Sequence, residues 1–247
     1  MRKIAITLTK GGTGKSTTAV NLAAGLASKG HRVLLVDTDT QGQASVMLGV
    51  EPQAGLAQLI EEEMAAEEVI VQARDNLSVL AGDHTLAGLK RTISLKDFGG
   101  EKVLTEALAP LRRRYDFIIM ETAPGWDSLT VNVLFYAQEI LAPVSMEVLS
   151  LQGLIEFEQR IKPIQKYHPR LSLRYVLPTL VDGRVRKSAE ILEQLRSYYK
   201  QQLCDPIHYN VRVSEAPGFG QTIFEFAPKS VGAQDYQKLI ERIEKGT

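Results

Sequence analysis

Apolar residues along this chain follow two rhythms. Short, nearly continuous runs rich in Val, Ile and Leu, such as Ile4-Ala5-Ile6-Thr7-Leu8, Val33-Leu34-Leu35-Val36-Asp37 and Tyr115-Asp116-Phe117-Ile118-Ile119-Met120-Glu121, read as strands buried on both faces of a parallel sheet. Between them lie longer stretches with apolar residues three and four apart, the pattern of helices covering that sheet. The pattern predicts a strand over 4–8, a helix over 18–28 (Val20, Leu22, Ala23, Leu26, Ala27), a strand over 33–37 and short helices over 43–49 and 54–63. A strand over 76–81 comes next, then an amphipathic helix over 101–114 carrying Val103, Leu104, Leu108 and Leu111, and a strand over 115–121. Residues 90–97 fit neither rhythm. The second half predicts a helix over 128–136, a strand over 139–144, and a long helix over 149–167 with Leu151, Leu154, Ile155, Ile161 and Ile164 on one side. A strand over 172–181, a helix over 184–200, a late strand over 203–209 and a last helix with an apolar face of Tyr236, Leu239, Ile240 and Ile243 complete the chain. Such alternation predicts one α/β domain over 1–247, a mostly parallel twisted sheet flanked by helices.

The junction between the first strand and the first helix carries the strongest chemical signal. It reads Thr9-Lys10-Gly11-Gly12-Thr13-Gly14-Lys15-Ser16-Thr17. Strand, glycine loop and helix are the context a phosphate-binding loop requires. Glycines let the backbone turn sharply and aim N–H groups at phosphate oxygens, and the helix adds the positive end of its dipole. Gly11, Gly12, Thr13, Gly14, Lys15, Ser16 and Thr17 are therefore the candidate nucleotide cradle. Lys15 supplies a charge to the β- and γ-phosphates, and the Ser16 hydroxyl is placed to ligate Mg²⁺. The ordinary pattern wants glycine five residues before Gly14; here that residue is Thr9, followed by a second lysine, Lys10.

Two predicted strands end in acids. Asp37 and Asp39 close the strand over 33–37, and Glu121 closes the strand over 115–121. Carboxylates at the C-terminal ends of parallel strands face the crevice where open α/β sheets bind ligands. Turn or capping aspartates would leave the same spacing, and only the neighbouring phosphate loop tilts the reading toward chemistry.

Composition narrows the picture further. The 247 residues are 44% apolar and 23% charged, and the formal net charge is zero, so binding to a polyanion requires a local patch. One cysteine, Cys204, excludes a disulfide framework and a four-cysteine metal site, and fits a reducing cytoplasm. No apolar run approaches the ~18 residues of a membrane span. The first strand begins at once, so neither a signal peptide nor a preceding DNA-binding extension is expected. Glu61-Glu62-Glu63 reads as a solvated face. Arg112-Arg113-Arg114 reads as cations at a helix C-terminus in preference to a nucleic-acid patch.

The loop form KGGxGK[ST] is that of the deviant Walker A motif, and the chain resembles the ParA/MinD class of dimerising ATPases. In that class the early lysine, Lys10 here, reaches across a dimer interface to the partner's nucleotide. Asp37-Thr38-Asp39-Thr40-Gln41-Gly42 is similar to the class segment DxDPQG, with Thr40 in place of proline. The resemblance implies that Asp39 orients or activates the attacking water and stands with Asp37 beside the metal. Ile118 to Gly125 is similar to the segment IIIDxPPS, with Glu121, Ala123 and Gly125 in place of aspartate, proline and serine. Glu121 then reads as the Walker B acid holding a water on Mg²⁺. Its extra methylene and the altered loop over 122–128 imply a looser metal shell and a more mobile switch segment.

Asn210-Val211-Arg212-Val213-Ser214-Glu215-Ala216-Pro217 is close to the NVRLSEAP signature of the Soj group of chromosome-segregation ParA proteins. The resemblance covers nearly the whole chain. It implies DNA contacts at Arg212 and at Arg184, within Val181-Asp182-Gly183-Arg184. Tyr209 stands where that group often has arginine, a gap that Arg186 and Lys187 can fill. The implied cycle has ATP and Mg²⁺ joining two copies, the dimer gripping double-stranded DNA without sequence preference, and a ParB-like activator triggering hydrolysis. This would occur on the nucleoid, in the cytoplasm. Two alternatives share most of these residues: a MinD-like membrane ATPase, disfavoured by the short, mixed-charge tail Glu241 to Thr247, and a ParA-like positioner of non-DNA cargo. A nitrogenase-iron-protein-like reductase would need cluster cysteines that the chain lacks.

Overall fold

The computed structural model describes residues 1–246; Thr247, the last residue of the tail and of the predicted domain, lies outside them. Strands β1 (Arg2–Ile6), β2 (Val33–Asp37), β3 (Ile70–Arg74), β4 (Leu77–Leu80), β5 (Phe117–Glu121), β6 (Glu139–Ser145) and β7 (Ser172–Thr179) form one sheet in the order β3-β4-β2-β5-β1-β6-β7. Every neighbouring pair is parallel except β3 with β4. The helices are α1 (Lys15–Ser28), α2 (Gln43–Met47), α3 (Leu56–Glu61), α4 (Ala66–Val69), α5 (Leu86–Ser94) and α6 (Val103–Ala107). They continue with α7 (Ser128–Tyr136), α8 (Val148–Tyr167), α9 (Arg186–Tyr199), α10 (Val211–Glu215), α11 (Ile223–Phe226) and α12 (Val231–Lys245).

Alternate residues of the central strands feed two cores, as a period of two demands. Ile4, Ile6, Val33, Leu35 and Ile119 pack with Leu22 and Leu26 of α1 and with Tyr236 and Ile240 of α12. Ala5, Leu34, Val36, Ile118 and Met120 pack on the other face with Leu104 of α6, Leu134 of α7 and Phe157 of α8. The sheet is thus covered on both sides, which explains why its inner strands are apolar over most of their length and carry charge at their ends. Gly25 sets the spacing of α1 and α12: a Cβ there would fall 1.9 Å from Ile240 Cδ1.

Several elements differ from the sequence reading. The helix expected over 101–114 breaks into 3₁₀ turns at Gly100–Lys102 and Ala109–Leu111 around α6, because Pro110 has no N–H to continue it. Val103, Leu104, Leu108 and Leu111 are nevertheless all buried. Residues 203–209 form no ladder: two isolated bridges, Val176–Leu203 and Val181–His208, lay this segment along β7, with Pro206 interrupting. Ile155 is 50% exposed; the buried stripe of α8 is Leu154, Phe157, Ile161 and Ile164. The 90–97 region joins α5 as far as Ser94. The pattern missed α4, α10, α11 and the antiparallel edge strand β3, whose positions are only half-buried or exposed. Glu61, Glu62 and Glu63 are exposed, as read. Among the described residues, no helix is long and apolar enough to cross a membrane.

Candidate active site

The order of the sheet puts β1 between β5 and β6, and the register aligns Ile6 with Glu121 and Asp37 with Glu121. The C-terminal ends of three parallel strands therefore stand side by side, and each delivers one part of the site. From β1 the chain enters the glycine loop. Gly12 and Gly14 adopt left-handed φ values of 72° and 83°, which side chains other than glycine resist. Gly14 is the N-cap of α1, so the helix starts three residues earlier than its apolar pattern indicated, at Lys15. Its first-turn N–H groups lack intrahelical partners and face the loop.

Neighbouring segments hold the loop. Thr179, at the end of β7, donates its hydroxyl to Thr13 O at 2.9 Å. Gly125 donates its N–H to Thr9 O at 2.8 Å with φ at 104°, which accounts for glycine there, and Pro124 lies against Gly11. The segment expected to be mobile is thus tied directly to the phosphate loop. It is tied again through Thr122 Oγ1, which donates to Thr7 Oγ1 at 2.8 Å. Lys15 is 6% exposed and donates to Lys10 O at 2.9 Å. Burial pushes its pKa down, while the charges of Glu121 and Asp39 push it up; the net direction is down.

The acids have unequal duties. Ser16 Oγ donates to Glu121 Oε1, which brings the proposed metal-binding hydroxyl and Walker B acid into contact. Burial, then the charge of Asp37, drives the Glu121 pKa well above the usual carboxylate range. Burial lifts Asp37 to about 6, against the N–H groups of Asp39 and Ala44 that donate to its two oxygens at 2.9 and 3.0 Å. Asp37 therefore shapes the loop that follows, and Asp39 is left half-buried at the site. Glu121 Oε2 and Thr13 Oγ1 are buried with no hydrogen-bond partner among the described residues. An unpaired carboxylate oxygen and an unpaired hydroxyl beside the loop's N–H donors and an ammonium fit a polyphosphate with a hard divalent cation.

No sequence motif marks the nucleoside end. A cavity of about 390 Å³ runs from Gly14, Ser16 and Thr17 to Thr179, His208 and Pro217. Its far wall is the 207–217 segment, so the only sequence signal for it is the Soj-like signature, whose Arg212 reads as a DNA contact. Hydrogen bonds from Tyr209 N to Val181 O and from Ile207 N to Pro178 O hold that segment against the turn bearing Arg184. The two basic motifs are thereby brought next to each other.

Lys10 lies outside its own loop, with its Nζ 2.9 Å from Glu147 at the start of α8. The four DNA candidates are all on the surface. Arg184 pairs with Asp182 at 2.7 Å, Arg186 with Glu190 at 3.0 Å and Arg212 with Glu215 at 2.9 Å, while Lys187 has no ion pair among the described residues. Arg114 is spent on Glu67.

A family model described as an AAA domain matches residues 1–173. The chromosome-partitioning ATPase Soj of Thermus thermophilus is 37% identical across 98% of this chain and 95% of that protein. The chain belongs to the Soj/ParA family of chromosome-partitioning ATPases. Sporulation initiation inhibitor protein Soj of Bacillus subtilis, another relative, is 34% identical over 97% of both chains. Among solved structures, a cobyrinic acid a,c-diamide synthase from Mycobacterium smegmatis with bound ADP and magnesium superposes with a TM-score of 0.84 at 28% identity, covering 100% of this chain and 97% of that one. The septum site-determining protein MinD of Pyrococcus horikoshii, complexed with Mg-ADP, shares the fold at TM-score 0.84 and 24% identity, over 99% and 96% of the two chains. As a member of this Soj/ParA family, the chain is a phosphate-loop ATPase that uses ATP and Mg²⁺.

Proposed function

We propose that this ATPase works in DNA segregation, pairing with a second copy when ATP is bound and holding double-stranded DNA in that state. The division of labour between its two loop lysines carries the reading. Lys15 is buried in its own loop, whereas Lys10 stands at the rim, its side chain 25% exposed and, among the described residues, paired only with the exposed Glu147. An ammonium so placed is available to a neighbouring molecule's phosphates once it gives up an exposed ion pair, which is held weakly.

Ser16, Glu121 and Asp39 would hold Mg²⁺ or its waters, with Asp37 fixing the loop that carries Asp39, and the ion would supply charge neutralisation for the phosphates. Gly11 to Thr17 clamp the phosphates through backbone N–H groups, and Lys15 adds its charge. Asp39 orients the attacking water. Intrinsic turnover is slow, because one carboxylate at the mouth of an open site positions water poorly until a ParB-like activator closes it. Arg184, Arg186, Lys187 and Arg212 neutralise DNA phosphates without reading bases. Two copies present the set twice, which raises avidity without new contacts. The protein would then reside on the nucleoid.

The test is a duplex-DNA gel shift with ADP, with ATP and without nucleotide, run alongside light scattering. The expected outcome is a dimer and a shift with ATP only. A protein that stays monomeric with saturating Mg-ATP, and binds DNA no better than without it, overturns the reading.

A further inference from the structure

His208 is outside the predicted site, yet it lines the cavity that opens from the phosphate loop. It is held from behind. His208 Nδ1 lies 2.8 Å from Asp235 Oδ2, and the same oxygen accepts the backbone N–H of His208 at 2.9 Å. Asp235, on α12, is 4% exposed. A carboxylate only accepts, so Nδ1 carries the hydrogen and Nε2 of the neutral ring is an acceptor. Nε2 has no partner among the described residues. Other polar groups on the wall are already engaged: Ser16 Oγ on Glu121, Thr179 Oγ1 on Thr13 O, and Asn210 Oδ1 on Arg212 N. The cavity therefore offers a nucleoside a ring acceptor of fixed tautomer, oriented by a buried acid.

We propose that His208, oriented by Asp235, reads the base of the bound nucleotide and selects a 6-aminopurine over a 6-oxopurine. An acceptor nitrogen pairs with the exocyclic amino group of adenine. Opposite the carbonyl of guanine it faces another acceptor, and a polar group left without its partner disfavours that ligand. Asp235 is a positioning residue: without it the ring can take either tautomer, and one of them donates to a 6-oxo group. This inference rests on the reading of the loop and cavity as one nucleotide site.

The experiment is calorimetric titration of the full chain with Mg-ADP and Mg-GDP, diphosphates being chosen to keep dimerisation out of the measurement. Tripolyphosphate with Mg²⁺ is the base-free control. His208→Ala should weaken Mg-ADP about tenfold, leave Mg-GDP within about twofold and leave tripolyphosphate unchanged, the effect of one hydrogen bond to a half-exposed group. Asp235→Ala should lower the ADP/GDP ratio in the same direction, and Asp235→Asn, which keeps an acceptor oxygen, should restore it. Equal losses for both diphosphates, or an unchanged ratio in His208→Ala, overturn the assignment. Lys15→Ala separates this from the underlying reading. If that variant keeps full affinity for Mg-ADP, the nucleotide site itself is misplaced; if it loses affinity while His208→Ala changes nothing, only the base-reading role fails.

Discussion

Asp39 and Asp37 are two residues apart in sequence and chemically unlike. Asp37 is fully buried and spends both oxygens on backbone N–H groups, whereas Asp39 is half-buried and, among the described residues, accepts only the N–H of Gln41, at 3.1 Å. A side chain that shapes a loop and one that can hold water should fail differently. Asp39→Ala is expected to keep Mg-ATP affinity within a few fold and to lose about two to three orders of magnitude in turnover, typical of removing a positioned acid or base. A malachite-green phosphate assay with nucleotide titration checks it, and normal turnover would remove Asp39 from the chemistry. The residues of the phosphate loop were legible because their spacing is set by a local chemical need. Glu121 was legible as an acid at a strand end. The role of Asp37 in folding the loop was not, since a carboxylate facing a metal and one facing amides look alike in sequence. His208 and Asp235 were invisible for a different reason: they lie 27 positions apart and meet only because α12 packs back onto the sheet.

Elements whose pattern reflects full burial were readable almost to the residue. β2 and α7 match their predicted spans, and β5 begins two residues late while ending as predicted at Glu121. Elements held by a few long-range bonds were not. The 203–209 segment has strand-like composition but lies along β7 with two bridges, so it never becomes a ladder. At this scale Gly25 is the sharpest test. Its missing Cβ would overlap the Ile240 side chain and come within 3.2 Å of Phe224, so Gly25→Ala must force Ile240 out of its position or push α12 away from α1. Overpacking of this kind costs about 1–3 kcal/mol, more than the helix gains from alanine. Urea unfolding should show a lowered midpoint, and a raised midpoint would mean the helix pair is looser than described.

The start of β5 offers a pH test. Asp116 accepts the N–H of Arg32 at 2.9 Å and pairs with its guanidinium at 2.8 Å, and the side-chain bond, the backbone bond and the nearby charge hold its carboxyl down at about 2. The folded pKa lies below the unfolded 3.8, so the stabilisation is present above that value and fades as pH falls through about 2. Asp116→Asn should be slightly less stable than wild type at neutral pH, by a margin limited by the exposure of the pair. That gap should close in strong acid. A gap independent of pH would assign the effect to shape alone.

For the molecule as a whole, net charge is zero and three of the four proposed DNA cations already carry an acidic neighbour within 3.0 Å. One copy therefore projects little positive field, and attraction to a polyanion must come from local exchange of carboxylate for phosphate. Arg184, Arg186 and Arg212 have side chains 84%, 94% and 61% exposed, so each can make that exchange without unpacking the core. Each phosphate contact contributes about 0.9 to the slope of log affinity against log salt. Arg212→Glu removes one contact per subunit, hence two per proposed dimer, and should reduce the slope by about two while sparing ATP-dependent association. Glu215→Gln releases Arg212 from its acid and should move affinity the opposite way, tightening DNA binding at a given salt with no change in nucleotide affinity. Fluorescence anisotropy with a labelled duplex, across a salt series and at saturating non-hydrolysable ATP analogue, reads both. If Arg212→Glu leaves the slope unchanged while Glu215→Gln is also silent, the polyanion-binding face lies on another side of the protein, away from the segment that walls the nucleotide cavity.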